Sequence, residues 1–222
     1  MKKILAIVAG ILTLASCSLP EDIFVIRNLN DFLSCKGGIL YNDVGTPFTV
    51  TQDLTDKNWN AEGNRIYAAF DITNSHFDIT LSGYLKAGIY STKTVPVPEK
   101  ENPDPVILTD CSVGGGYLNI VLSYYYKPGT ECPHQTSLYA TDKDDTLTLT
   151  LVHDGNAESP AYAQASTLQT ASAACCFTLA GLVPEGEYRK VVLEFDLLTK
   201  DEEGKDISKH TSARLFEQPV QF

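Results

Sequence analysis

No stretch of this 222-residue chain gathers positive charge: Lys and Arg number 17 against 28 Asp and Glu, a formal charge of -11, and no basic stripe runs along it. That argues against nucleic-acid backbones and anionic lipid surfaces as partners, since both reward clustered cations. The patterns that carry chemistry are missing too. None of the four histidines, His76, His134, His153 and His210, sits in a nucleophile-elbow pattern such as G-x-S-x-G. There is no C-x-x-C and no second cysteine pair to close a zinc tetrahedron. Asp142, Asp144 and Asp145 have the look of a calcium loop but lack its glycine at position six and its glutamate at position twelve, so they read as a hairpin turn. With no phosphate loop and no paired acid and base, the expectation is no catalytic residue, no metal and no cofactor, hence not an enzyme.

Long apolar runs are also lacking. The one candidate, Ile4 to Leu14, is well short of the ~20 residues that span a bilayer. Preceded by Lys2-Lys3 and followed by Leu14-Ala15-Ser16-Cys17, it reads instead as a secretory signal. The small residues ahead of Cys17 resemble a bacterial lipobox, in which the thiol is acylated and the chain is cleaved just before the cysteine. Residues 1–16 are then the signal and 17–30 a lipidated tether, whose Glu21-Asp22 pair resembles the surface-export signal of lipoproteins in Gram-negative anaerobes. With Lys2 and Lys3 gone, 15 cationic against 28 acidic side chains leave the mature chain near -13.

Cysteine is sparse and odd in number. Once Cys17 is lipidated, Cys35, Cys111, Cys132, Cys175 and Cys176 remain, so in an oxidising compartment at least one is unpaired. Cys111 and Cys132 flank a strand about 30 Å long and are poor partners unless the chain folds back at Gly114 to Gly116.

What the chain does have is alternation at period two. Leu118, Ile120, Leu122, Tyr124 and Tyr126 share one face of a strand launched from Gly114-Gly115-Gly116. Leu147, Leu149 and Leu151 alternate with threonines, and Val191, Leu193, Phe195 and Leu197 repeat the pattern. Earlier, Ile66, Ala68, Phe70 and Ile72 point inward, as do Phe77, Ile79 and Leu81. Short strands joined by Gly and Asn turns over 31–95 fit a small OB-like barrel, and seven further strands over 106–222 an antiparallel β-sandwich. The prolines at 96, 98, 103 and 105 mark 96–105 as a semi-rigid connector and domain boundary. The alanine-rich stretch from Ala157 to Ala174 is compatible with a loop or a short helix.

Asp104-Pro105-Val106, Gly115-Gly116-Tyr117-Leu118-Asn119-Ile120, His134, Asp145-Thr146-Leu147-Thr148-Leu149 and Phe195-Asp196-Leu197 together resemble the NigD-like lipoproteins. The N-terminal half joins the resemblance through Gly37 to Gly45 and Gly63 to Phe70. The turn after His153 departs from the pattern, and Cys175-Cys176 are not part of it. The resemblance implies an OB-like domain and a β-sandwich behind a lipidated cysteine, and, from the cluster that gives the family its name, a bacteriocin-immunity role.

Two residues stand out as candidate ligand or interface positions. Trp59, between Asn58 and Asn60 in a polar loop, suits either a sugar-stacking platform or a lid on the barrel. Tyr125 cannot share the inward face with Tyr124 and Tyr126, which offers it to an interface. His134 and His153 read as structural or solvated. The functional expectation is a lipid-anchored binding lipoprotein of the outer membrane or cell surface, meeting the membrane through its lipid and a protein partner or toxin through its folded part. The alternative is a surface carbohydrate-binding lipoprotein. Cys17→Ala should release the protein from the membrane pellet or leave it unprocessed; unchanged fractionation would contradict the lipobox.

Overall fold

A computed structural model describes residues 25–98, 104–129, 134–182 and 188–219. Cys17, the signal over 1–16 and Cys132 lie outside the described residues. The fold is all-β, as the alternation requires. Among the described residues the one helical element is a single 3-10 turn at Ala165–Thr167.

Two compact units divide between Leu85 and Lys86. The first contains β1 (Ile26–Lys36), β2 (Ile39–Tyr41), β3 (Pro47–Asp53), β4 (Arg65–Ile72) and the start of β5 (Asp78–Ser91). Its strands run in the order β3-β2-β1-β4-β5, and a parallel β3–β5 pairing closes the ring. A closed five-stranded barrel removes every edge, and it is compatible with the OB-like expectation. The inward residues of β4 are those the alternation marked, all at most 4% exposed. β1 begins at Ile26, inside the expected 17–30 tether, and pairs with β4 from Ile26 onward. The tether is therefore shorter than its composition suggested, because backbone pairing recruits residues with no strong apolar pattern.

The second unit is a sandwich. One sheet has the order β5-β10-β7-β6, using the end of β5, β10 (Gln169–Thr178), β7 (Tyr117–Tyr126) and β6 (Ile107–Gly114). The other has the order β12-β11-β9-β8, from β12 (Asp206–Pro219), β11 (Tyr188–Lys200), β9 (Thr146–Asp154) and β8 (Gln135–Lys143). Leu118, Ile120 and Leu122 of β7 meet Leu147, Leu149 and Leu151 of β9 in one core with Val191, Leu193 and Phe195. The β6–β7 hairpin turns on Gly115 (φ 60°) and Gly116 (φ 83°), a pair of left-handed positions that suits the strand twist and favours glycine.

Three expectations are corrected. The sandwich is not purely antiparallel: β5 pairs parallel with β10, and β9 with β11. Each of these pairs is separated in sequence by the long connection that parallel neighbours need. The boundary is not the proline run. β5 crosses it, and the residues bracketing 96–105 are hydrogen-bonded into the sandwich. The Lys93 amide donates to the Leu138 carbonyl at 2.8 Å, and the Val106 amide to the Asp196 carbonyl at 2.9 Å. Prolines cannot donate, but the residues on either side of them do. Finally, the alanine-rich stretch is neither loop nor helix throughout: from Gln169 it is strand, with Ala171 opposite Tyr124 and Ser172 opposite Ser123. Small side chains beside the bulky tyrosines let the two strands pair closely.

β7 is buried on both faces from Leu118 to Val121, with Asn119 at 0% and Val121 at 3% on the side away from the sandwich core. Ile120→Ala should therefore cost ~2 to 5 kcal/mol in urea unfolding through transfer and cavity terms. Ile89→Ala, at a position 49% exposed, should stay within about 0.5 kcal/mol. Similar losses in both would contradict this core.

Candidate functional site

The alternation of β9 does not stop at Leu151. One step further it carries His153 inward, to 4% exposure, at the end of the strand. β7 likewise carries Tyr124 inward past Leu122. His134, immediately before β8, completes a ring cluster: Tyr124 stacks on His134 with centroids 4.7 Å apart and lies 4.8 Å from His153.

The polar atoms of this cluster form a series. Thr136 Oγ1 is 3.0 Å from His153 Nδ1, His153 Nε2 is 3.1 Å from His134 Nδ1, and His134 Nε2 is 3.4 Å from Glu158 Oε2. Glu158 also accepts the Lys127 amide at 2.7 Å, which fixes the carboxylate. The side chains of His134 and Glu158 are only 10% and 12% exposed. Burial pushes the Tyr124 phenol above its ordinary range, with Cys175 and Tyr126 adding to it, so the ring stays neutral.

The turn that delivers Glu158 is unusual. Its 155–158 bond, Glu158 amide to Gly155 carbonyl at 3.1 Å, spans two left-handed residues, Asn156 (φ 58°) and Ala157 (φ 60°). That is a type I′ geometry, natural for Asn and costly for Ala by roughly 1 kcal/mol. Gly155 is required for space rather than for φ. A Cβ there would lie 2.8 Å from the His134 ring and 3.2 Å from His153 Nε2. The Gly155 amide donates to Asp104 Oδ2 at 2.9 Å, so Asp104, 4% exposed, holds the turn against the histidines. A hydroxyl, imidazoles and a carboxylate in series are also the parts of an activated nucleophile. Here, though, His153 is buried and Tyr124 covers the pair, stacked on His134 and tilted against His153, which makes a closed tie rather than a cleft.

The residues singled out in the sequence lie elsewhere. Trp59 is 6% exposed within the barrel core, its indole N–H donating to Asp53 Oδ2 at 2.7 Å. It is a lid on the barrel, and no ring face is left on which a sugar could stack. The indole and Thr55 bonds, with Lys57 nearby, hold the Asp53 carboxyl below its ordinary range against the opposing effect of burial, the largest single influence on it. Tyr125 lies on the face of β7 turned away from the sandwich core, half-buried opposite Thr170. His210 is exposed beside Asp196 at 3.3 Å.

Among the described residues Cys35, Cys111 and Cys175 are free thiols. Cys111 is not beyond the end of β7, because the hairpin folds it back opposite Ile120, whose other neighbour is Cys175. Two strand spacings put their Cα atoms roughly 9.5 Å apart, too far for a disulfide. Burial pushes both thiols up to about 12, so neither is a thiolate at neutral pH. Among the described residues no group of three or more His, Cys, Asp or Glu side chains is placed to hold a metal ion.

An all-β chain of a small barrel followed by a β-sandwich defines the class. The NigD-like C-terminal beta sandwich domain matches residues 92–207, and the chain belongs to that family. Its start at 92 fits a sandwich that takes in Lys93 rather than beginning at 106. Among solved structures, a NigD-like immunity protein from Bacteroides caccae is similar over 84% of this chain and 97% of its own, at 17% identity and a TM-score of 0.56. A Bacteroides vulgatus protein of unknown function matches over 89% and 92%, at 17% identity and a TM-score of 0.57. A candidate lipoprotein of Bacteroides fragilis matches over 86% and 99%, at 12% identity and a TM-score of 0.53. A comparison with curated proteins returns no match.

The sequence analysis read His134 and His153 separately. The signal that joins them was the phase of β9, which puts 153 on the face of Leu147, Leu149 and Leu151. Adjacent substitutions in the following turn should have opposite signs. Gly155→Ala should lose ~1 to 3 kcal/mol by overpacking the histidines. Ala157→Gly should be neutral or gain up to about 1 kcal/mol by relieving the left-handed alanine. Urea unfolding of both checks this; a harmless Gly155→Ala would contradict the close packing.

Proposed function

We propose that this chain is a lipid-anchored lipoprotein of the outer membrane or cell surface that works by binding a protein partner, as an immunity protein meets a toxin, and not by catalysis. The observation that carries the reading is the short path from lipobox to fold. Cys17 is followed by the first strand at Ile26, so a lipid on Cys17 would hold the barrel within about 30 Å of the bilayer even with the tether fully extended. Family membership and the likeness to a NigD-like immunity protein support the same reading.

Charge narrows the partner. A mature chain near -13 repels anionic lipid and steers cationic polypeptides toward itself, an attraction that weakens with salt. The glycan alternative has lost the residue that motivated it, since Trp59 is in the barrel core.

Cells expressing the full-length protein should survive a cationic bacteriocin that kills cells without it, and Cys17→Ala should abolish most of that protection by removing the protein from the membrane. Equal survival with and without the protein, across a panel of such toxins, would overturn the immunity reading. Equal protection by Cys17→Ala would overturn the anchored one.

A further inference from the structure

We infer that His134 and His153 form a one-proton clasp, which holds the end of the sandwich closed while the pair carries at most one positive charge and releases it when both rings are charged. The inference rests on the geometry of the cluster and not on the proposed function.

The series of contacts dictates the proton count. With both imidazoles neutral, His134 Nε2–H donates to Glu158, His134 Nδ1 accepts from His153 Nε2–H, and His153 Nδ1 accepts from the Thr136 hydroxyl. Every link then has one hydrogen. One added proton is accommodated without breaking a link: His134 donates to both Glu158 and His153, and His153 Nδ1–H turns to donate to the Thr136 oxygen. A second added proton cannot be placed. Two N–H groups would point at each other across 3.1 Å, and two cationic rings would sit 5.2 Å apart between centroids.

Among the described residues, charged and titratable groups reach the pair from several elements. Glu158, on the 155–158 turn, and Asp104, ahead of β6 and bonded to the Gly155 amide, are acidic and tolerate the first charge. Tyr124 on β7 is neutral, stacked on His134 and tilted against His153, and its surroundings include the protonated Cys175 thiol. Thr136 on β8 contributes a hydroxyl. The Lys127 amide, just after β7, is tied to Glu158. The cluster thus joins the ends of β7 and β9, the start of β8 and the 155–158 turn, and opening it frees that end of the sandwich.

The direction of the pH effect follows. Unfolded imidazoles have an ordinary pKa of about 6.5 and below it carry two protons between them. The closed clasp holds one at most. The unfolded chain therefore binds more protons, and stability is lost as pH falls through about 6. The dependence should approach a tenfold loss in the folding equilibrium constant per pH unit, the signature of one extra proton taken up.

The test is denaturation of the full chain between pH 7.5 and 5.5, followed through NMR signals of the sandwich, for the wild type and for His134→Gln and His153→Gln. The wild type should show the loss, and each variant should flatten it, because a single imidazole has no like-charged neighbour. Nitrogen-resolved imidazole spectra of the wild type supply a second readout that does not depend on the variants folding. They should show a shared His134–His153 hydrogen bond at pH 7.5 and never two charged rings in the native state. Two charged rings in native protein, or a slope unchanged by either substitution, would overturn the inference.

Discussion

The sandwich depends on burying alternate side chains of one strand against another sheet. On β7, Leu118, Ile120 and Leu122 are each 0% exposed, and the same is true of Leu149 on β9, which belongs to the same core. Each such side chain contributes ~1.5 to 3 kcal/mol by burial, so a few of them account for a sizeable part of a domain's net stability. Because the side-chain period is two, that burial also fixes register. A one-residue slip would turn the leucines outward and carry Tyr124 and His153 away from each other. The histidine cluster is thus a consequence of the apolar core: the alternation that buries Leu122 and Leu151 carries Tyr124 and His153 to the same end.

β10 and β6, which flank β7, show how the neighbours are chosen to suit it. Opposite Tyr124 and Tyr125 of β7, β10 offers Ala171 and Thr170. Opposite Ile120, cysteines on both sides act as small hydrophobes, kept as thiols by burial. The chain ahead of β6 is fixed by Val106 bonding to β11, just after Asp104 has anchored the Gly155 turn. Asp104 and His134 were both among the residues that carried the family resemblance, and they meet within one cluster. A physical reason for their place in that pattern is at hand, since the first positions the turn and the second is packed under it.

Much of the fold was legible because alternation is a local signal. The inward faces of β4, β7, β9 and β11 follow from it, and so do the all-β class and the sandwich, while the family rested on the resemblance of particular motifs. What it could not supply was pairing between strands remote in sequence. The parallel β5–β10 and β9–β11 pairs leave no mark on either strand alone. Prolines mislead for a related reason: they mark where a chain cannot donate, not where contacts cease, and Lys93 and Val106 bond on either side of them. Trp59 shows the same limit at one residue. Polar neighbours in the sequence left an exposed platform and a lid on the barrel both open, and only the bond to Asp53 six positions earlier, with the indole in the barrel core, decides for the lid. The histidine pair was legible in phase and illegible in partner, since nothing local to His153 announces His134.

If β7 is the strand on which the sandwich is organised, its amides should open only when the unit unfolds. Native-state hydrogen exchange on the full chain measures this directly. The account predicts that the Leu118 to Leu122 amides are the slowest in the sandwich, exchanging with the free energy of global unfolding, while the far end of the β11–β12 hairpin near Asp201 to Lys205 exchanges much sooner. Exchange of Ile120 as fast as that hairpin tip would contradict it.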